Sequence, residues 1–147
     1  MSKKDIYDDI DRLLSDLKSD IEDTLMNEVL DEVKEIELKH VQEDVFAVYN
    51  PKVYRRRAVD GIDDPDNIQG TVNNMELEVE HLAEFTDWRG VAKRGVGLAE
   101  FVNDYDYPGI IDRNRPYIDN TVEEIEKTDS VENVLAQGLR KRNYDVY

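Results

Sequence analysis

The chain has 147 residues, no cysteine, and a formal net charge of −16 from 35 acidic and 19 basic residues. Disulfides, zinc–thiolate centres and cysteine nucleophiles are therefore excluded, and nonspecific DNA binding through a basic face is not expected, because phosphate contacts need clustered Lys and Arg. The length suits one domain, 1–147. No run of about 18 apolar residues marks a membrane span, and the start MSKKDIYDD has no apolar segment of a secretory signal. A soluble protein made in a cytoplasm is expected.

Residues 4–48 read as one long helix. Ile6, Ile10, Leu13, Leu17, Ile21, Leu25, Val29 and Val33 step by three or four, which is helical spacing. Asn50 precedes Pro51, and a residue before proline avoids the α region, so the helix should stop near Tyr49. The first 48 residues hold 15 acidic and 6 basic side chains, a net of −9. Forty-five helical residues span roughly 68 Å, against a radius of gyration of about 15 Å for a compact domain of this size. The helix must bend, break or be covered by a neighbour. Steps of four from Leu17 to Val33 make the apolar stripe drift around the axis. A kink or a change of partner is expected in the 20s, where Asn27 is the weakest helix former.

The middle of the chain reads as a small antiparallel sheet over 52–86. Val53 and Tyr54, then Ala58 and Val59, bracket Arg55, Arg56 and Arg57 in a short expected strand. Asp60-Gly61 and Asp64-Pro65-Asp66-Asn67 are turn chemistry. Met75, Leu77 and Val79 alternate with Glu76, Glu78 and Glu80, the pattern of a half-buried strand. Gly90, Gly95 and Gly97 predict a flexible loop over 86–97.

The C-terminal part, 98–142, reads as two to three helices. Leu98 to Asn103 is a short one. Pro116 suits the first turn of the next, which runs through Val122 and Ile125 to Thr128. Asp129 or Ser130 is a good N-cap for the last, which turns Val131, Val134, Leu135 and Leu139 inward. Arg140, Lys141 and Arg142 suit its C-terminal end. Tyr144–Tyr147 reads as a tail or short strand. The fold class is α+β.

Candidate chemistry is sparse. His40 and His81 read as surface or edge histidines, with a hydrolase built on either as the weakest functional reading. Asp60, Asp63, Asp64, Asp66 and Asn67 crowd one loop, as Ca²⁺ or Mg²⁺ ligands would. They do not match the EF-hand spacing, and turn chemistry accounts for them without a metal. Gly95-Val96-Gly97 lacks the third glycine of a dinucleotide fingerprint. No catalytic residue, cofactor or metal is expected. Arg55, Arg56 and Arg57 are the densest positive charge. Arg suits bidentate pairing with carboxylates, either the chain's own or those on the acidic helix of a neighbouring subunit.

Several segments, in order, resemble a known family. DVFAVYNPKVYRRR carries Tyr49, Pro51, Tyr54 and Arg56. Asp64-Pro65-Asp66-Asn67-Ile68, LAEFVNDYDY, Arg115-Pro116-Tyr117, Thr121, Glu124 and Gly138-Leu139 follow. Together with the long polar N-terminal helix they resemble the neck, or minor head–tail joining, proteins of long-tailed bacteriophages, often described as tail components. The resemblance implies a non-enzymatic virion protein at the head–tail junction. It would form a homo-oligomeric ring, six- or twelvefold, between portal-side head-completion and tail proteins. DNA would pass through the lumen without specific binding. The alternative reading of the charge is an acidic DNA mimic that inhibits a DNA-binding enzyme.

Overall fold

The computed structural model describes residues 3–47, 61–86, 92–97, 99, 102–103 and 116–146. The long helix is present and interrupted. Helix α1 (Lys3–Thr24) passes through a π-helical turn, Leu25–Val29, into α2 (Leu30–His40), and a second π-helical turn, Val41–Phe46, follows. The interruption in the 20s falls on Asn27, as its weak propensity leads one to expect. Two side chains donate to carbonyls on the approach: Thr24 Oγ1 to Asp20 O at 2.7 Å and Asn27 Nδ2 to Asp23 O at 2.8 Å. Leu30 N–H closes the turn on Leu25 O. Steps of four on a helix of 3.6 residues per turn advance the stripe by about 40° each. The wider turn absorbs part of that drift, and Val29 and Leu30 are both buried.

A single-turn 3-10 helix, Pro65–Asn67, leads into β1 (Ile68–Asn73), which pairs with β2 (Glu76–His81). Leu77, Val79 and His81 are half-buried, and Glu76, Glu78 and Glu80 are exposed, the alternation expected of a half-buried strand. Met75 does not start that strand. Asn74 and Met75 form the two-residue turn between β1 and β2, with φ of 52° and 61°, as the type I′ hairpin requires.

The glycine-rich segment corrects another expectation. Ala92–Gly97 is a strand, β4, antiparallel to β3 (Glu84–Thr86). Glu84 partners Gly97 and Thr86 partners Ala92, with a register shift between the two pairs. Glycines suit such an irregularity, because the bulged backbone leaves ordinary β geometry. Among the described residues the strands form two two-stranded sheets, β1–β2 and β3–β4, the second reaching past residue 86; residues 52–60 of the expected sheet lie outside the described residues.

Ala99, Val102 and Asn103 are helical. Helix α3 (Tyr117–Lys127) begins directly after Pro116 and ends at Thr128, which turns extended. Helix α4 (Ser130–Lys141) keeps Val131, Val134, Leu135 and Leu139 half-buried. It ends in a Schellman motif: Asn143 N–H donates to Arg140 O and Tyr144 N–H to Leu139 O, at 3.0 and 3.1 Å. Asn143 takes the left-handed position at φ 68°, where asparagine is the usual substitute for glycine. Residues 144–146 are not a strand, because this motif turns the chain back on itself.

The chain forms two compact units. The first comprises Met1–Glu32, Gly70–Glu78 and Ser130–Tyr147. Here α4 meets the end of α1 at close range: a Cβ on Gly138 would lie 2.4 Å from Thr24 Cγ2. Tyr144 Oη donates to Asp20 Oδ2 at 2.6 Å, and Arg142 Nη1 donates to both Glu28 Oε1 and Gly138 O at 3.0 Å. Met75 N–H reaches Glu22 Oε1 at 3.3 Å, and Gly70 leaves room for the Leu30 methyls. The first turns of α1 lack such cover: Ile6, Tyr7, Ile10, Leu13 and Leu14 are all exposed.

The second unit comprises Val33–Gln69 and Val79–Asp129. Its core is Val41, Val45, Ile62, Ala83, Ala99, Val102 and Tyr117, with Phe46 and Ile118 packed against it.

Candidate functional site

The second unit carries the buried ionisable groups. In α2, Glu37 takes the place of an apolar residue in the series Val29, Val33, Val41, Val45. That position faces the core, so its carboxyl is buried. Burial without a compensating charge disfavours the anion and pushes its pKa up from 4.5 to about 7.

At the end of β2, the strand's alternation turns His81 inward, and its side chain is only 4% exposed. Its Nδ1 accepts from Ala83 N–H at 3.3 Å, and its Nε2 lies 2.9 Å from Ile62 O. Nδ1 therefore has no proton, and Nε2–H donates to the carbonyl. Desolvation holds the ring's pKa below 6.5. Glu37 Oε1 lies 4.0 Å from His81 Nε2, and the Tyr117 ring meets the imidazole edge-on at 6.4 Å. Tyr117 is fully buried. Its hydroxyl has no hydrogen-bond partner, and burial, with the Glu37 charge second, raises its pKa.

His40 lies in a separate network. Asp44 Oδ2 accepts from both His40 Nδ1, at 2.7 Å, and Asn120 Nδ2, at 3.0 Å. Lys39 donates to Glu124 on α3; this bond, foremost, raises the lysine's pKa. His40 Nε2 stands 3.8 Å from Glu124 Oε2. His81 does end β2, as an edge histidine would, but both side chains are more buried than a surface position allows. Side-chain exposures of 13% and 4% follow from their positions on inward faces.

Beside His81 lies a cleft of about 490 Å³, lined by Val79, Glu80, His81, Leu82, Ala99, Asn103, Ile118 and Asp119. Asn103 Oδ1 accepts from Ile118 N–H at 3.0 Å and Asp119 N–H at 3.2 Å. It thus caps α3 from outside that helix and takes up the donors an anion would use. The arrangement ties elements together. Both imidazole nitrogens of His81 are occupied by backbone groups, which leaves neither for proton transfer in this state.

The aspartate-rich loop is a folded turn. Asp64 N-caps the 3-10 turn, its Oδ1 accepting from Asp66 N–H at 3.0 Å. Asn67 Nδ2 donates to Gly61 O at 2.9 Å. Among the described residues, no group of three or more His, Asp or Glu is placed to hold a metal ion, and no helix is long and apolar enough to cross a membrane. Arg55, Arg56, Arg57 and their expected strand lie outside the described residues, as do Tyr49, Pro51 and Arg115. Glu37 is the residue sequence reasoning passed over. The signal was its place in the step-of-four series.

With this architecture in view, comparison with known proteins is informative at one level. The YomN family model matches residues 9–141. The chain belongs to the YomN family. YomN is a phage-derived family of Bacillus type, so this is a phage-associated protein. No curated protein and no solved structure matches the chain. The YomN match spans nearly all described elements, including both π-helical turns and both sheets.

Proposed function

We propose that this YomN-family chain is a structural, non-enzymatic protein of the phage virion, forming a homo-oligomeric ring in the neck between portal-side and tail proteins. The observation that carries the reading is the uncovered apolar face of α1. A helix of 22 residues exposes Ile6, Tyr7, Ile10, Leu13 and Leu14, and contiguous exposed apolar patches mark association surfaces. Phage-derived family membership and the segmental resemblance to neck proteins support the location. A buried histidine with both ring nitrogens held by backbone groups fits a framework better than a reaction centre. The high negative charge suits a channel wall that repels DNA.

Gold-labelled antibody on purified virions tests this. Label at the head–tail junction is expected. Label elsewhere on the particle, or none on particles that infect normally, overturns it. The DNA-mimic reading draws on the exposed row Glu76, Glu78 and Glu80. It requires the purified chain to displace DNA from a basic enzyme.

A further inference from the structure

The apolar residues of α1 form a band on one side of the helix. At 3.6 residues per turn, Ile6, Tyr7, Ile10, Leu13, Leu14 and Leu17 fall within an arc of about 120°. That is wider than the two-position seam of a simple coiled coil and fits a helix touching more than one neighbour. Further along, the band is closed off within its own unit: Thr24 is buried and lies against Gly138 of α4. Toward the N-terminus it is open, with Leu13 67% and Leu14 57% exposed.

The borders of the band differ in charge. One edge carries Asp9, Asp16 and Asp23. The other is mixed, carrying Lys4, Asp11, Lys18 and Glu22; all of these but the half-buried Glu22 are exposed. Two such helices packed antiparallel would bring the three-aspartate edges together. Packed parallel, the aspartate edge of one meets the lysine-bearing edge of the next. Like charges across such a seam are destabilising and opposite charges favourable. Lys18 lies 3.9 Å from Glu22 of its own helix, and that glutamate's Oε1 also accepts from Met75 N–H.

We infer that the N-terminal half of α1 packs side by side and parallel with α1 of further copies of this chain. Parallel packing is also what cyclic symmetry imposes on helices running along the ring axis, while a closed antiparallel pair would stop at two. The inference rests on the ring reading above, and the two fail separately.

The chain has no cysteine, so Ile6→Cys introduces a unique thiol. In a parallel arrangement two copies of residue 6 adjoin, and mild oxidation should link Ile6→Cys chains to one another. In an antiparallel one centred on the band, residue 6 faces residue 17 of the other copy, and the two copies of residue 6 lie about 16 Å apart along the axis, beyond disulfide reach. Only a mixture of Ile6→Cys with Leu17→Cys would then link. Sedimentation velocity should show an oligomer of the wild-type chain. Leu13→Asp should dissociate it with unchanged circular dichroism, because Leu13 is 67% exposed within its own chain. Asp11→Lys, which replaces an acid of the second edge with a base, should lower the midpoint concentration of assembly by roughly threefold or more. A wild-type chain that stays monomeric at its solubility limit overturns the inference, as does linkage confined to the mixture. A stable oligomer indifferent to Leu13→Asp and unlinked through residue 6 removes the α1 pairing and leaves the ring. Parallel-linked oligomers from a chain absent from the neck keep the pairing and remove the neck assignment.

Discussion

Gly138 of α4 lies so close to Thr24 that a Cβ built on it would sit 2.4 Å from the threonine methyl. Thr24 is fully buried, and its hydroxyl is committed to Asp20 O, so it cannot swing aside without losing that bond. Gly138 is therefore kept by contact, against a helix preference that would favour alanine by about 1 kcal/mol. Gly138→Ala should destabilise the chain by about 1–3 kcal/mol in urea titrations, the range of an overpacked core. Adding Thr24→Ser removes the offending methyl and keeps the hydroxyl. The double variant should recover most of the loss, a coupling a double-mutant cycle reads directly.

The β1–β2 turn should respond in the opposite direction. Met75 holds φ at 61° with its side chain half exposed. Met75→Gly removes the left-handed strain and keeps the N–H that reaches Glu22. A gain of about 0.5–1 kcal/mol is expected, measured by denaturant midpoint with unchanged m-value.

Glu37 and His81 give the second unit opposing pH responses. Glu37 keeps its proton up to about 7 in the folded chain, against an ordinary 4.5. Its contribution to stability is complete below 4.5 and is lost as pH rises through 7. His81 has a folded value below its ordinary 6.5. Its contribution is complete above 6.5 and is lost as pH falls. Glu37→Gln cannot ionise. It should match the wild type near pH 4.5 and exceed it at pH 8 by up to roughly 3 kcal/mol, read by chemical denaturation at the two pH values.

Tyr117 is fully buried with an unpartnered hydroxyl. Leaving such a group unsatisfied costs about 1–3 kcal/mol, so Tyr117→Phe should hold stability or raise it by about 1 kcal/mol. A loss beyond about 1 kcal/mol in thermal unfolding would mean the hydroxyl has a function the packing does not show.

Where the sequence was legible, one physical signal dominated locally. The long helix, the break near Asn27, the start of α3 after Pro116 and of α4 at Ser130, and the alternation of β2 all follow from periodicity or from residues with strong backbone preferences. Legibility failed where tertiary pairing overrides local preference. Gly95 and Gly97 mark a loop by themselves, yet Glu84–Thr86 supplies a partner strand. Met75 continues the β2 alternation and is nevertheless in the turn, because two-residue hairpins take the conformation their strands' twist demands. The buried group was half legible. Glu37 sits in an apolar series, but only the fold brings His81 and Tyr117 beside it.

The two π-helical turns, Leu25–Val29 and Val41–Phe46, each hold one more residue than an α-helical turn would. At the first, which has helix on both sides, the flanking helix keeps its phase while the sequence slips by one. Deleting Asn27 should therefore close the first turn into ordinary helix and leave the flanking faces aligned. Removing one residue within α1, such as Ser15, would swing the residues on one side of the cut by about 100° relative to the other. The long helix thus has, at Leu25–Val29, a place where its length can change by a single residue without scrambling its faces. Among YomN-family sequences, insertions and deletions in this helix are expected to gather there.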